Sequence, residues 1–172
     1  LRTNLLLHLG NGLLLFALLR TLGRRLDGPG PRTDAVAVLA AGGWLLHPLL
    51  VSTTLYAVQR EAMLPATFIL LGLLAWLRGD RLLAEGRTRA GALWMCAGIG
   101  GGTLLATLCK ANGLLLPAMA LAIDATVLRA AAGAAPRPGA RWRVLLLVIP
   151  TLAIFALLLS RFSDFWMPIA FR

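Results

Sequence analysis

Six apolar stretches run through the 172-residue chain, each near the length that crosses a roughly 30 Å hydrocarbon layer. Their approximate spans are 4–22, 34–54, 62–77, 91–108, 113–128 and 144–160. The runs are rich in Leu and Ala and lack period-2 alternation, so strands are not expected. In lipid only helices and closed barrels satisfy every backbone group. The expectation is an all-α polytopic transmembrane bundle of about six helices, with no soluble domain. Hydrophobic residues make up 59% of the chain and charged residues 14%. A soluble domain runs nearer half apolar and a quarter charged. At this length the apolar surplus has no core to fill, so lipid must act as the solvent.

The connections set the topology. After the first, third and fifth stretches come Arg20, Arg24, Arg25 and Arg32; Arg78, Arg81, Arg87 and Arg89; then Arg129, Arg137, Arg141 and Arg143. These are twelve basic residues. The other connections and ends carry five: Arg2, Arg60, Lys110, Arg161 and Arg172. The positive-inside rule puts the richer set in the cytoplasm and both ends of the chain outside. The expected location is a bacterial inner membrane. The net charge of +10 is spread over the joints instead of gathering in one patch beside exposed aromatics, so no nucleic-acid partner is expected. The joints Gly28-Pro29-Gly30-Pro31 and Pro136-Arg137-Pro138-Gly139 have turn chemistry, and their arginines can also meet anionic headgroups. The chain opens on Leu1-Arg2-Thr3-Asn4, already entering a helix, and stops at Phe171-Arg172. Both ends are expected to be cuts.

Cofactor and catalytic signatures are few. Cys96 and Cys109 lie near opposite ends of one expected helix, about 20 Å apart at the helical rise. That is too far for a disulfide, and two cysteines make no closed metal site. There is no P-loop, dinucleotide-binding glycine set, HExxH or GxSxG. No cofactor or metal ligand set is assigned. Gly98 and Gly102 stand at GxxxG spacing, which lets helix backbones approach closely.

Polar groups at membrane depth are costly and face the bundle interior or a wet cavity. Here they collect toward the outer side. Asn4, His8 and Asn11 share one helix face, where they either hydrogen-bond between helices or line a substrate cavity. His47-Pro48 leads into the polar run Ser52 to Glu61, which contains Arg60. Arg60 suits bidentate contact with a phosphate, although a solvated loop charge is the plainer reading. Lys110 is the one lysine among sixteen arginines and lies outside, beside Asn112, as a phosphate contact or an interface anchor. Asp124 is expected to pair with Arg129, about one turn on, or with headgroup water. Arg161 and Asp164 read as outer-loop charges.

Three segments carry a resemblance in order. They are NLLLHLGNGLLLFALL (Asn4 to Leu19), HPLLVSTTLYAVQREAMLPATFILLGLLAWL (His47 to Leu77) and CKANGLLLPAMALAID (Cys109 to Asp124). They resemble the GT-C superfamily of polytopic glycosyltransferases, in particular protein O-mannosyltransferases and their tetratricopeptide-linked relatives. The matching features are an Asn-Leu-Leu-x-His-x-x-Asn helix, a His-Pro outer junction followed by Arg, and a Lys-Glu-x-Gly segment ending in an acid. The terminal FWMPIAFR looks like the start of another outer-loop motif. One departure matters: Ala111 stands where the family has Glu, so no role for that acid carries over.

The resemblance implies transfer of a sugar from a polyprenyl-phosphate carrier to an acceptor at the outer face. It also implies a general-base Asp in an outer loop upstream of Leu1, so no residue here is assigned as the base. Arg60, then His47 and Lys110, are the expected donor-phosphate contacts, with Asn4, His8 and Asn11 supporting the cavity. The competing classes are a transporter or flippase of a lipid-linked or amphiphilic substrate, an O-antigen ligase or polymerase, and a non-catalytic membrane subunit. A transporter would need a polar path to the cytoplasmic side, where only Asp124 stands out.

Overall fold

The computed structural model describes residues 2–50, 60–133 and 137–170, with side chains left out at Leu49, Arg60 and 161–170. The polar run Ser52–Gln59, Pro136, the side chains of Arg161 and Asp164, and Phe171–Arg172 lie outside the described residues. The described chain is all-α. Its helices are α1 (Arg2–Leu26), α2 (Pro31–Leu45), α3 (Arg60–Ala84), α4 (Thr88–Cys109), α5 (Ala111–Ala132) and α6 (140–170).

Five of the six are long and apolar enough to cross a membrane: α1, α3, α4, α5 and α6. Their outward faces carry Leu, Val and Phe, such as Leu6, Leu13, Leu104, Leu108, Leu152 and Phe155. The bilayer solvates such a surface, and every helix meets its own backbone hydrogen bonds. The chain is an integral membrane protein.

α2 is shorter than the expected 34–54 span. It starts with Pro31 in its first turn and stops at Leu45, at 15 residues. That length is about 22 Å, less than the hydrocarbon thickness. Pro48 explains the stop, because its ring pushes His47 out of the helical region. A short 3₁₀ turn, Pro48–Leu50, follows. The other helices exceed their expected bounds. α3 runs on to Ala84 because Leu82 and Leu83 continue the buried stripe of Leu73, Trp76 and Leu77 past the charged residues.

Specific contacts fix the helix directions. His8 meets Leu45 at one end of the α1–α2 pair, and Arg20 and Arg24 meet Asp34 at the other, so the two are antiparallel. Asn11 bonds to Met63 and Arg25 to Asp80, so α1 and α3 are parallel. α3 and α4 close through Gly86, whose φ of +80° suits glycine, with Arg87 N–H donating to Leu82 O at 2.9 Å. α4 and α5 are joined by Lys110 alone, in extended conformation. The three arginine-rich connections therefore gather at one end of the bundle.

Small residues seat the helices against one another. A Cβ added to Gly98 would lie 2.6 Å from Gly72 O and 2.7 Å from Trp76 N. One on Gly72 would lie 2.7 Å from Gly98 O, and Gly79 and Gly91 face each other in the same way farther along. Without water to drive helices together, this close van der Waals approach is a main source of cohesion. Trp76, Leu73, Leu77, Met95, Ile99, Leu116 and Leu147 fill the space beside the seam.

α4, α5 and α6 each contain a wide π turn: Cys96–Gly101, Asp124–Leu128 and Val144–Val148. The last lies just before Pro150, whose ring crowds the carbonyl of Leu146. A Gly98→Ile substitution should separate α3 from α4 and cost about 1–3 kcal/mol. Gly100→Ile, where an added Cβ meets nothing within 4 Å, should be neutral. Thermal melting of the purified protein in detergent checks the pair.

Candidate functional site

The Asn4, His8 and Asn11 face is buried, as a polar face of a membrane helix must be. α1 docks it against the end of α2 and the start of α3. His8 Nε2 donates to Leu45 O at 3.0 Å, which puts the imidazole proton on Nε2, and the ring stacks on Trp44 at 5.1 Å. Asn11 Nδ2 donates to Met63 O at 3.0 Å, while its Oδ1 accepts from the Thr67 hydroxyl at 2.7 Å. Met63 O also accepts from the Thr67 hydroxyl within α3, and Asn11 gives it a second side-chain donor. His8 and Asn11 thus spend their polar atoms between helices. Asn4 is fully buried.

Two residues beyond Leu45 stands His47, exposed at the tip of α2. Three residues before Met63 stands Arg60, the first residue of α3, whose side chain lies outside the described residues. Lys110 is exposed at the α4–α5 turn. The helix directions bring all three to the end of the bundle opposite the arginine-rich connections. Among the described residues, no hydrogen bond or ion pair ties the Lys110 side chain to the α1–α2–α3 corner. Both cysteines are free thiols.

At the other end lies a polar centre that sequence reasoning missed. Asp80, only 8% exposed, accepts from Arg25 on α1 and from Arg143 on α6. Asp124, at the opening of the π turn in α5, accepts from Arg137 Nη2 at 2.7 Å and Arg143 Nε at 3.1 Å. Arg137 also reaches Asp80, at 3.4 Å. Backbone carbonyls complete the set: Leu77 O accepts from Arg25 and Pro138 O from Arg143, each at 2.7 Å, and Arg137 O accepts from Arg143 at 3.4 Å. Five charged side chains thus join α1, α3, α5 and α6.

The expected Asp124–Arg129 pair is replaced by Arg137 and Arg143. The wide turn begins at Asp124, and Arg129 beyond it is exposed. Asp80 was hidden by ending the third span at 77. The signal for it was its place at i+3 and i+7 from Leu77 and Leu73, on the stripe that buries the core. A second ion cluster lies nearby, where Arg20 and Arg24 both fork onto Asp34 at 2.8–3.1 Å.

No family model, curated protein or solved structure matches the chain.

The buried centre makes an energetic demand. Asp80→Asn removes the charge that compensates Arg25 and shares Arg143, and breaking such a buried set costs about 3–5 kcal/mol. Glu85→Gln removes the partner of Arg81 in an exposed i, i+4 pair, worth under about 1 kcal/mol. Melting both variants beside the parent protein should show a large loss for the first and almost none for the second.

Proposed function

We propose that the chain is the transmembrane part of a glycosyltransferase, moving a sugar from a polyprenyl-phosphate donor to an acceptor at the outer face. The observation that carries this reading is the α1–α2–α3 corner. His8 and Asn11 hold the end of α2 and the start of α3 from below, through Leu45 O and Met63 O. His47 and Arg60 begin just beyond those two anchor points. In this reading the outer end is the one bearing His47, Arg60 and Lys110, and the arginine-rich end faces the cytoplasm.

The chemistry follows from the charge that develops. As the acceptor oxygen bonds to the anomeric carbon, the bond from that carbon to the phosphate oxygen breaks, and its electron pair leaves on the lipid phosphate. Cations fixed beforehand stabilise that charge without reorganising. Arg60 takes the phosphate with its planar fork, and His47 and Lys110 add point contacts. Asn4, His8 and Asn11 act as positioning residues. The acceptor hydroxyl needs a carboxylate base, which the resemblance puts upstream of Leu1.

A second reading is a non-catalytic membrane subunit. It is favoured by the same hydrogen bonds, since His8 and Asn11 already have partners within the bundle. Arg60→Ala in the whole protein separates the two. The enzyme reading expects sugar transfer from a polyprenyl-phosphate donor to fall by about 10²–10³, the loss typical of one transition-state charge stabiliser. The subunit reading expects wild-type transfer. Membrane insertion and melting temperature should be unchanged in either case.

Orientation is tested separately, in a protein whose Cys96 and Cys109 are replaced by Ala. An impermeant thiol reagent added outside intact cells should label Ser52→Cys and spare Glu85→Cys. The reverse pattern would invert the bundle.

A further inference from the structure

Between the C-terminal ends of α1 and α3 lies an open groove of about 660 Å³ that the proposed reaction does not use. Arg24 and Arg25 line it from α1, and Leu74, Leu77, Arg78 and Arg81 from α3, with Asp80 as the one carboxylate, already held by Arg25. The groove is graded along the helix axis. Leu74 and Leu77 lie toward the middle of the bundle, and the guanidiniums toward its end.

The charges around it do not balance. Arg20 and Arg24 share one carboxylate, Asp34. Arg25, Arg137 and Arg143 share two, Asp80 and Asp124. Arg81 alone is matched one to one, by Glu85. Arg78 lies over the Trp94 ring at 5.4 Å and has no carboxylate partner among the described residues. Seven guanidiniums therefore meet four carboxylates, an excess of three positive charges. Against low-dielectric walls such an excess focuses potential into the groove and attracts an anion.

We propose that this groove binds an anionic phospholipid. Its phosphate sits among Arg24, Arg78 and Arg81, and an acyl chain lies along Leu74 and Leu77. Arg24 is suited to the phosphate because its Nε and Nη2 hold Asp34 while Nη1 remains for a ligand. The apolar floor selects a lipid over a free anion, and the site stands at the end of two membrane helices where phospholipid headgroups lie. The site is distinct from the His47, Arg60 and Lys110 end, so its test leaves the proposed transfer reaction untouched.

The test is native mass spectrometry of the whole protein, released from micelles holding equal phosphatidylglycerol and phosphatidylcholine. The wild type should retain about 30-fold more of the anionic lipid, the preference that two arginine contacts support. Arg24→Gln with Arg78→Gln should bring retention down to the phosphatidylcholine level, with Asp34 still held by Arg20. Arg78→Gln alone, which unpairs no carboxylate, should lower it several-fold and keeps the test decisive if the double variant unfolds. Arg89→Gln with Arg129→Gln removes equal charge from the same end outside the groove and should change nothing. Equal loss in that control, no anionic preference in the wild type, or complete displacement by millimolar inorganic phosphate would each overturn the proposal.

Discussion

The Asp80 carboxylate is the point on which the bundle closes. It takes guanidinium donors from α1 and α6, and Arg137 and Arg143 link it onward to Asp124 on α5. A charge so nearly removed from water is tolerable only with full compensation. That requirement draws three connections to one place, although the residues involved stand 55 to 63 positions apart. The glycine seam sets how near α3 and α4 come. The ion centre sets which ends meet.

The two ends divide the polar work differently. At one end, neutral groups on α1 answer backbone carbonyls of α2 and α3, the first of them left open where α2 stops. At the other, full charges answer one another, and arginines outnumber carboxylates. Between them the helices are held by shape: Gly12 against Leu45, Gly23 against Thr33, and Gly72 against Gly98 and Gly102. A hydrocarbon solvent offers little else, since lipid tails compete equally for any leucine.

Much of this was legible in the residues. The number of helices follows from the apolar runs, and the common end of the arginine-rich joints from strict alternation. The packing role of Gly98 and Gly102 follows from their spacing, and the inward aim of Asn4, His8 and Asn11 from the cost of facing lipid. Three things were not fully legible. The end of α2 was only half legible: Pro48 marks a break in the helical ladder, but the apolar residues beyond it carried the expected span to 54. Asp80 fell beyond the expected third span, which ends at 77, although the stripe of Leu73, Trp76 and Leu77 continues to Leu83. Asp124 sat at a π turn, and an extra residue in one turn rotates everything beyond it relative to the ideal helical wheel. For the candidate site, the sequence located His47, Arg60 and Lys110 near the same end, and the helix directions agree. The partners of His8 and Asn11 could not be foreseen, because a carbonyl acceptor carries no residue-type signature.

The single-residue link at Lys110 has a consequence for biogenesis. Gly113 rests directly on the backbone of Ala106 and Thr107, so the two limbs touch from their first turn. A ribosome delivering this stretch supplies the two limbs in immediate succession, after α3 and before α6. They are thus suited to entering the lipid phase as a pre-paired hairpin, with the ammonium at its apex.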